Sequence, residues 1–430
     1  TRLYKTITDT IKDRTMKTRL LLFLIVIFIN IIKVNAQQGD VCFNDYFTDN
    51  TLRLDYIFAG DTSRQLIFVD ELVKVKGWYG RRKRLELLPY EGNGQITLTD
   101  KASGKTIYRH SFSTLFQEWL SSDEAKTTPK SFENVFLVPF PKSTVDVKVE
   151  LFDFHRKVSS TLTHTIDPND ILIREIQRPK NPIVTLQQAD DTTNCIRIAY
   201  VAEGYKKEQM DDFINDAKIA TEALFEHEPF TSMRGYFNIV CVESPSENEG
   251  TSTPHKKDWR NTTLGAHFDT FYSNRYLTTL HLKKLHDELA CSPYEHIIVL
   301  VNTEQYGGGG IYNSYNLSYT KGNSFRPVVV HEFGHSFGGL ADEYEYADTD
   351  PMYFADTEPW EPNITTKADF TQKWQNLIDN GKSSLIEGGG YQSKGVWRGN
   401  IDCRMRTNEH KDFCPICQQA LQKLIDFYVK

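Results

Sequence analysis

His331, Glu332 and His335 stand close together in the chain, with the two histidines four residues apart. If residues 328–337 form a helix, both imidazoles lie on one helix face and can reach a single metal ion. Glu332 follows the first histidine directly, where its carboxylate could take a proton from a water at the ion. The alternative is an amphipathic helix with two core or solvated histidines. The pattern predicts a zinc site with Glu332 as general base.

A catalytic zinc ion has three protein ligands and one open position for water, so a third ligand must follow the histidines. Gly338 and Gly339 predict a sharp helix end, after which the chain can fold back toward the ion. Asp342 is the predicted third ligand and Glu343 is the alternative, because zinc accepts carboxylate oxygen besides imidazole. A solvated acidic pair would be the expectation without the two histidines.

The N-terminal residues predict export. Met16 and the basic residues after it precede an apolar run from Leu20 to Ile32. The residues up to Ala36 include the small side chains expected at a cleavage site. A signal peptide over residues 16–36 and a secreted or periplasmic protein are expected. An uncleaved anchor is the alternative, but a membrane span needs roughly 20 apolar residues. Residues 1–15 are treated as a leader, and no stable membrane insertion is expected after cleavage.

The remainder of the chain is acidic, with 43 basic and 55 acidic side chains and a net charge of −12. This charge disfavours nucleic acid as a partner. We expect a monomer that acts on a protein or peptide substrate. Seven cysteines can form disulfides in an exported protein, and their odd number leaves at least one unpaired.

Three parts are expected in the mature chain. Residues 37–165 show apolar alternation, from Leu52 to Phe58 and from Val145 to Leu151, which predicts half-buried strands and a small β-sandwich. Nothing in this domain suggests catalysis, so its expected role is support or recognition of a partner. Residues 166–193 contain three prolines and are predicted as a linker. Residues 194–430 are expected to be the catalytic domain.

Strands and helices alternate in this last part, which predicts an α/β (α+β) domain. The predicted elements are a strand Ile196–Val201, a helix from Met210 to Leu224, a strand Phe237–Val242, a helix around Tyr276–Leu289 and a strand Ile297–Val301.

Three further stretches carry weaker signals. The basic run at residues 81–84 is predicted as a solvated loop rather than a polyanion site, because it is short and the protein is acidic. The loop at residues 243–254 is expected to be solvated, and structural calcium there is possible but not indicated. Four glycines at residues 307–310 lack the Lys-Ser/Thr of a phosphate loop and predict a turned segment beside the metal cleft.

Several motifs in order resemble the bacterial IgA-peptidase (igalysin) family of metzincin zinc metallopeptidases, over nearly all of the mature chain. The motifs are His331 to Tyr344, Glu361-Pro362-Asn363, Gly388-Gly389-Gly390-Tyr391, Cys403-Arg404-Met405-Arg406 and Phe413-Cys414-Pro415-Ile416-Cys417. The resemblance implies an N-terminal β-rich domain and a two-lobed catalytic domain with zinc between the lobes.

The resemblance also implies roles for single residues. Met405 would be the methionine beneath the ligating imidazoles. The third metzincin ligand would fall on Ala341, which cannot bind zinc, so Asp342 would bind one residue later. Thr407 stands where some metzincins have a tyrosine, so Tyr344 or Tyr391 would have to assist catalysis.

Three of the cysteines lie close to Met405 in the sequence. Cys414 and Cys417 could be half of a zinc knuckle or a redox pair, but no second CxxC exists and export favours disulfides. A bridge from Cys403 to either of them is the expectation.

The sequence therefore predicts a secreted zinc endopeptidase, with host glycoproteins such as immunoglobulin A among its expected substrates. Two alternatives stay open: a catalytically silent protein that binds glycoproteins or glycans, and a zinc amidase that acts on cell-wall peptides.

Overall fold

The computed structural model describes residues 41–347 and 351–430. The leader and the signal peptide predicted for residues 1–36 lie outside the described residues. None of the described helices is long and apolar enough to cross a membrane.

The N-terminal half consists almost entirely of strands. Its elements are α1 (Phe43–Tyr46), β1 (Phe47–Gly60), β2 (Gln65–Lys76), β3 (Gly94–Asp100), β4 (Thr106–Phe112), α2 (Leu115–Trp119), β5 (Lys130–Pro141), β6 (Val145–Phe152), β7 (Val158–Ile166) and β8 (Arg174–Ile176). The described strands form two four-stranded sheets, in the orders β5-β1-β2-β8 and β4-β3-β6-β7. Rings from the two sheets meet in the core, where the centroids of Phe112 and Phe136 are 4.2 Å apart.

The predicted alternation is only partly correct. In β6 buried and more exposed residues alternate, as a half-buried strand requires. In β1, however, residues 51–56 are all buried. The second face of β1 is covered, since Arg53 pairs with Asp55 and with Asp287 of the C-terminal half at 2.6 Å each. The prediction of a half-buried strand is therefore wrong for β1, because a buried ion pair can satisfy polar residues on the covered face.

The C-terminal half mixes helices and strands. Its elements are β9 (Ile183–Gln187), β10 (Ile196–Glu203), α3 (Met210–Phe225), β11 (Phe237–Val242), α4 (Leu282–Glu288), β12 (His296–Val301), β13 (Gly308–Ile311), β14 (Tyr315–Tyr319), α5 (Phe325–Ser336), β15 (Glu345–Tyr346), β16 (Ile364–Thr365), α6 (Gln375–Asp379), β17 (Ile386–Gly389), β18 (Tyr391–Arg398) and α7 (Pro415–Val429).

A mixed six-stranded sheet organises this half, in the order β13-β14-β12-β10-β11-β9 among the described strands. The four inner strands are parallel, and the edge strands β9 and β13 are antiparallel to their neighbours. All six residues of β12 are buried, as expected for a parallel strand covered on both faces. Strands β15 to β18 form a second, smaller sheet.

Most predicted elements of this half are confirmed, but the helix predicted around Tyr276–Leu289 is shorter and begins at Leu282. The four-glycine run also differs, because Gly308–Ile311 is a strand and not a turn. The stretch predicted as a linker contains β8, which pairs with β2, and β9, which pairs with β11.

Two loops predicted to be solvated are partly buried. Arg81 is only 8% exposed, and its guanidinium donates to the carbonyls of Leu85, Leu87 and Arg109. Arg81 therefore serves packing, since carbonyl groups and the ring of Tyr108 satisfy its guanidinium, whereas Lys83 of the same run is exposed. In the loop at residues 243–254 several small polar side chains are also buried. They are Ser244, Ser246, Thr251, Ser252 and Thr253.

The imidazole of His296 is buried where the two halves meet, edge-on against the rings of Phe337 and Tyr428. Burial lowers the pKa of His296 to about 3, and burial likewise lowers that of His286 to about 3. An unfolded histidine has a pKa near ~6.5, so the unfolded chain binds protons first as the pH falls.

We therefore expect stability to be full above pH ~6.5 and to fall by on the order of 1–2 kcal/mol per histidine by pH ~5. The variant His296→Gln should lose less stability than the parent over this interval, because glutamine does not titrate. Thermal melts of both proteins between these pH values measure the difference. Parallel curves would contradict the assignment of His296 as an acid-sensitive group.

Candidate functional site

Helix α5 carries the predicted metal-binding pattern into the middle of the C-terminal half. Its apolar residues face the core, where Phe333 and the following Phe337 stack 5.0 Å apart. His331 and His335 lie on the other face, one turn apart, with ring centroids separated by 4.7 Å. The helix ends as predicted at two glycines, and Gly339 has a positive φ of 60°.

After the helix the chain folds back and brings Asp342 to the two histidines. The Nε2 atoms of His331 and His335 are 3.0 Å apart. Oδ1 of Asp342 lies 3.1 Å from the first Nε2 atom and 3.3 Å from the second. The Asp342 carboxylate is almost fully buried, so these three atoms form a compact donor set at the wall of a cleft.

The hydrogen bonds of the two imidazoles determine what this donor set can hold. Nδ1 of His331 faces the carbonyl oxygen of Arg404 at 3.0 Å, and Nδ1 of His335 faces that of Leu340 at 2.6 Å. Carbonyl oxygens only accept, so each Nδ1 carries a proton and each Nε2 faces Asp342 and the other imidazole. Two ring nitrogens and a carboxylate oxygen thus converge on one point, which either a proton or a metal ion can occupy.

Such a set can hold a metal ion. For zinc at about 2.0–2.1 Å from each donor, a tetrahedral arrangement places the donors about 3.4 Å apart. The three separations found here are close to that value. Ligating histidines also commonly donate their second ring N–H to a carbonyl group, as both do here. The residues present therefore fit a divalent ion of the zinc class.

The charges at the site agree with this reading. Burial alone would lower the pKa of His335, but the Asp342 carboxylate outweighs it and raises this pKa to about 9. Burial would raise the pKa of Asp342, but the two imidazoles outweigh it and hold this pKa well below its usual range. The carboxylate is thus ionised at neutral pH and favours positive charge on the histidine side.

Glu332 lines the same cleft, beside the edge strand β13. A Cβ atom added at Gly308 would lie 2.4 Å from Oε1 of Glu332, and one at Gly310 would lie 2.6 Å from the Glu332 backbone oxygen. The glycines therefore allow β13 to approach the helix closely. Burial raises the pKa of Glu332 above its ordinary value, and the neighbouring imidazoles oppose this shift. Such a carboxylate is suited to accept and return a proton.

Neighbouring segments hold Asp342 in place. The Asn363 side chain accepts from the backbone N–H of Ala341 at 2.8 Å and donates to the Ala341 carbonyl at 2.9 Å. The hydroxyl of Tyr391 donates to Oδ2 of Asp342, the oxygen away from the histidines. Tyr344 lies beside it, with its ring 5.3 Å from that of Tyr391. Both tyrosines named from the sequence thus lie beside the carboxylate.

Met405 lies against helix α5 between the two histidines. It is fully buried, and a Cβ atom added at Gly334 would be 2.5 Å from its sulfur atom. The Met405 carbonyl accepts from the backbone N–H of Glu343 at 2.8 Å. The segment that holds Met405 therefore also fixes the chain that presents Asp342.

The structure separates the two predicted acidic ligands. Asp342 meets the histidines, whereas Glu343 points away and its Oε1 lies 3.0 Å from Nδ2 of Asn363 and 3.1 Å from Sγ of Cys417. The disulfide expected at Cys403 is absent: all seven cysteines are described and all are free.

The N-terminal half contributes to the cleft, which the sequence did not indicate. Asn93, Ser113, Glu118 and Ser121 line it opposite the histidines. The hydroxyl of Tyr276 donates to the Glu118 carboxylate, and burial raises the Glu118 pKa to about 7. No local signal distinguishes Glu118, because only the packing of the two halves brings it to the cleft.

Comparison with protein families agrees with the geometry. The model of the IgA Peptidase M64 family matches residues 184–385, and that of the Peptidase M64 N-terminus matches residues 42–163. The chain belongs to the IgA peptidase M64 family. The resemblance noted from the sequence is confirmed, and the protein is a peptidase of two-domain architecture. A comparison with curated proteins finds no match. The donor set lies inside the matched residues, while Met405 and Cys403 lie beyond them.

A methyl group at Gly308 should displace the Glu332 carboxylate, because the three atoms nearest to it all belong to that side chain. If Glu332 is the general base predicted from the sequence, Gly308→Ala should lower kcat by about 10²-fold, the usual effect of misplacing a reacting group by about 1 Å. Its melting temperature should stay close to that of the parent. Gly310→Ala is the contrasting variant, because its methyl group meets a helix carbonyl and should lower the melting temperature. Equal activity in Gly308→Ala and parent would contradict this placement of Glu332.

Removing the hydroxyl of Tyr391 should weaken ion binding, since that hydroxyl orients the Asp342 carboxylate. We expect Tyr391→Phe to reduce zinc affinity by about 10–100-fold, as for other partners of metal ligands. Competition with a chromophoric chelator measures it. Tyr346→Phe is the control, because it removes a nearby hydroxyl but keeps the ring that stacks on Tyr391. Its zinc affinity should equal that of the parent. Unchanged affinity in Tyr391→Phe would refute the orienting role.

Proposed function

We propose that this chain is a zinc-dependent endopeptidase in which His331, His335 and Asp342 hold the ion and Glu332 is the general base. The observation that carries the proposal is the convergence of two Nε2 atoms and a carboxylate oxygen at 3.0–3.3 Å, in a cleft that Glu332 also lines. Membership of a peptidase family supports peptide-bond hydrolysis as the reaction.

A bound zinc ion would supply Lewis-acid polarisation of the peptide carbonyl and would make a water more acidic. Glu332 receives the proton of the attacking water on a carboxylate oxygen and passes it to the leaving amine nitrogen. The raised pKa of Glu332 favours this transfer, because a carboxylate with a higher pKa accepts a proton from water more readily. Tyr391 keeps the Asp342 carboxylate oriented through its hydrogen bond.

The two halves correspond in this proposal to a β-sandwich domain and a metzincin-like catalytic domain, with a boundary inside residues 166–193. The substrate is a protein segment that enters the cleft between them. The cleft offers aromatic and ionic side chains to such a segment, among them Tyr306, Tyr312, Tyr353, Arg275 and Arg406.

We propose that the enzyme acts outside the cytoplasm, as a monomer, on host glycoproteins. Immunoglobulin A is the first substrate to test, because the family description names it. Binding without hydrolysis and cleavage of cell-wall peptides are outcomes of the same experiment.

The variant Glu332→Gln tests the proposal, since it keeps the size of the side chain and removes the base. We expect kcat/KM to fall by about 10³-fold with zinc still bound. The purified parent and variant are incubated with a denatured proteome and with immunoglobulin A, and the new termini are mapped by mass spectrometry. Glu304→Gln, at an exposed position, is the matched control and should cut like the parent.

Four results would argue against the proposal. Cleavage by Glu332→Gln at the parental rate would exclude its role as base. Parental activity that survives complete removal of metal would exclude zinc. Release of fragments only from cell-wall peptides, with no protein cut, would favour the amidase, and no cleavage at all would favour a binding protein.

A further inference from the structure

A second group of potential metal ligands lies inside the C-terminal half, apart from His331, His335 and Asp342. It consists of Glu343, Cys403, Cys414 and Cys417, all of them buried, and one ligand atom from each lies within 4.8 Å of the others. We call it the cysteine cluster. The Sγ atoms of Cys403 and Cys417 are 3.7 Å apart, and Oε1 of Glu343 is 3.1 Å from Cys417 Sγ and 3.8 Å from Cys414 Sγ.

These separations match the geometry of one tetrahedral ion. With Zn–S near about 2.3 Å, two sulfur ligands of a tetrahedral zinc ion lie about 3.8 Å apart. A sulfur and a carboxylate oxygen on the same ion lie about 3.6 Å apart. A disulfide requires about 2.05 Å between its sulfur atoms, and it would use only two of the three thiols.

The carboxylate of Glu343 supplies an independent observation. It is fully buried, and its Oε2 atom has no hydrogen-bond partner among the described residues. A buried carboxylate oxygen without a partner is costly, and an ion is one of the few groups that can satisfy it. Three thiols in apolar surroundings offer no strong donor in its place.

The surroundings suit thiolate ligands. Cys414 precedes the first residue of helix α7 and Cys417 lies in its first turn, where the helix dipole favours negative charge. The backbone N–H of Cys414 donates to Sγ of Cys403 at 3.2 Å, and Nδ2 of Asn363 donates to Oε1 of Glu343 at 3.0 Å. These donors offset the charge that three thiolates and a carboxylate leave on a divalent ion.

We propose that the cysteine cluster binds a second divalent ion of the zinc class, with a structural role. All four ligands come from the protein, as in closed structural zinc sites. On binding, the thiols release their protons to solvent. The ion ties helix α7 and the Cys403–Met405 segment to the chain that presents Asp342, because Glu343 follows that residue directly. Residues 403–417 lie outside the family match, and the second ion would take no part in the proposed reaction itself.

Metal content of the purified full chain, prepared with zinc and exchanged into metal-free buffer, tests the proposal. The parent should contain about two ions, and His331→Ala and Cys417→Ser about one each. The variant Glu343→Gln keeps one side-chain oxygen but loses the negative charge. It should therefore bind the second ion more weakly than the parent. Cys195→Ser is the control, because Cys195 is buried outside the cluster and should leave about two ions.

A spectroscopic measurement keeps the test decisive even if Cys417→Ser does not fold. Cobalt(II) in His331→Ala should show thiolate-to-metal charge-transfer absorption, since only the cysteine cluster remains to bind it. This result does not depend on peptidase activity, so an inactive parent whose His331→Ala variant shows the absorption would contradict the proposed function and keep the second site. A parent with about one ion, a cobalt spectrum without the absorption, or an intact mass that shows a Cys403–Cys417 disulfide would overturn the proposal.

Discussion

Two imidazole nitrogens and one carboxylate oxygen lie within 3.0–3.3 Å of one another, and the Asp342 carboxylate favours a positive charge among them, either a proton on His335 or a metal ion. The surrounding structure enforces it. The carbonyl groups of Arg404 and Leu340 fix the protons on the far side of the rings. An ion that binds here displaces the proton of His335, so ion binding, pH and stability are thermodynamically linked.

The adjacent residues Asp342 and Glu343 explain how one segment can serve two clusters. Successive side chains of an extended chain point to opposite sides. Asp342 therefore contacts the histidines, and Glu343 contacts the cysteine cluster. The hydrogen bond from Glu343 N–H to the Met405 carbonyl joins this segment to the one that carries Cys403. A shift of the residues in either cluster should therefore also move the ligands of the other, because only one or two residues connect them.

The helix with its two histidines could be predicted, because the four-residue spacing and the terminating glycines are local signals. The sequence favoured Asp342 over Glu343 as the third ligand but left Glu343 open, since the choice depends on the direction in which the chain leaves the helix. Arg81 was misread because a basic run looks the same whether solvent or backbone carbonyls satisfy it. The helix predicted from Tyr276 was too long, as that residue turns into the cleft to meet Glu118. Long-range packing decides each of these cases.

The contribution of Glu118 also changes the role expected for the N-terminal half. Asn93 binds the indole N–H of Trp360 at 2.7 Å, and Ser113 donates its backbone N–H to the Tyr312 carbonyl at 3.0 Å. These contacts lie at the cleft, so the N-terminal sheets form one of its walls. Removing this wall would remove Glu118 and leave the hydroxyl of Tyr276 without that partner. The N-terminal half therefore belongs to the site itself, and recognition of a substrate by this half would occur within the same cleft as the chemistry.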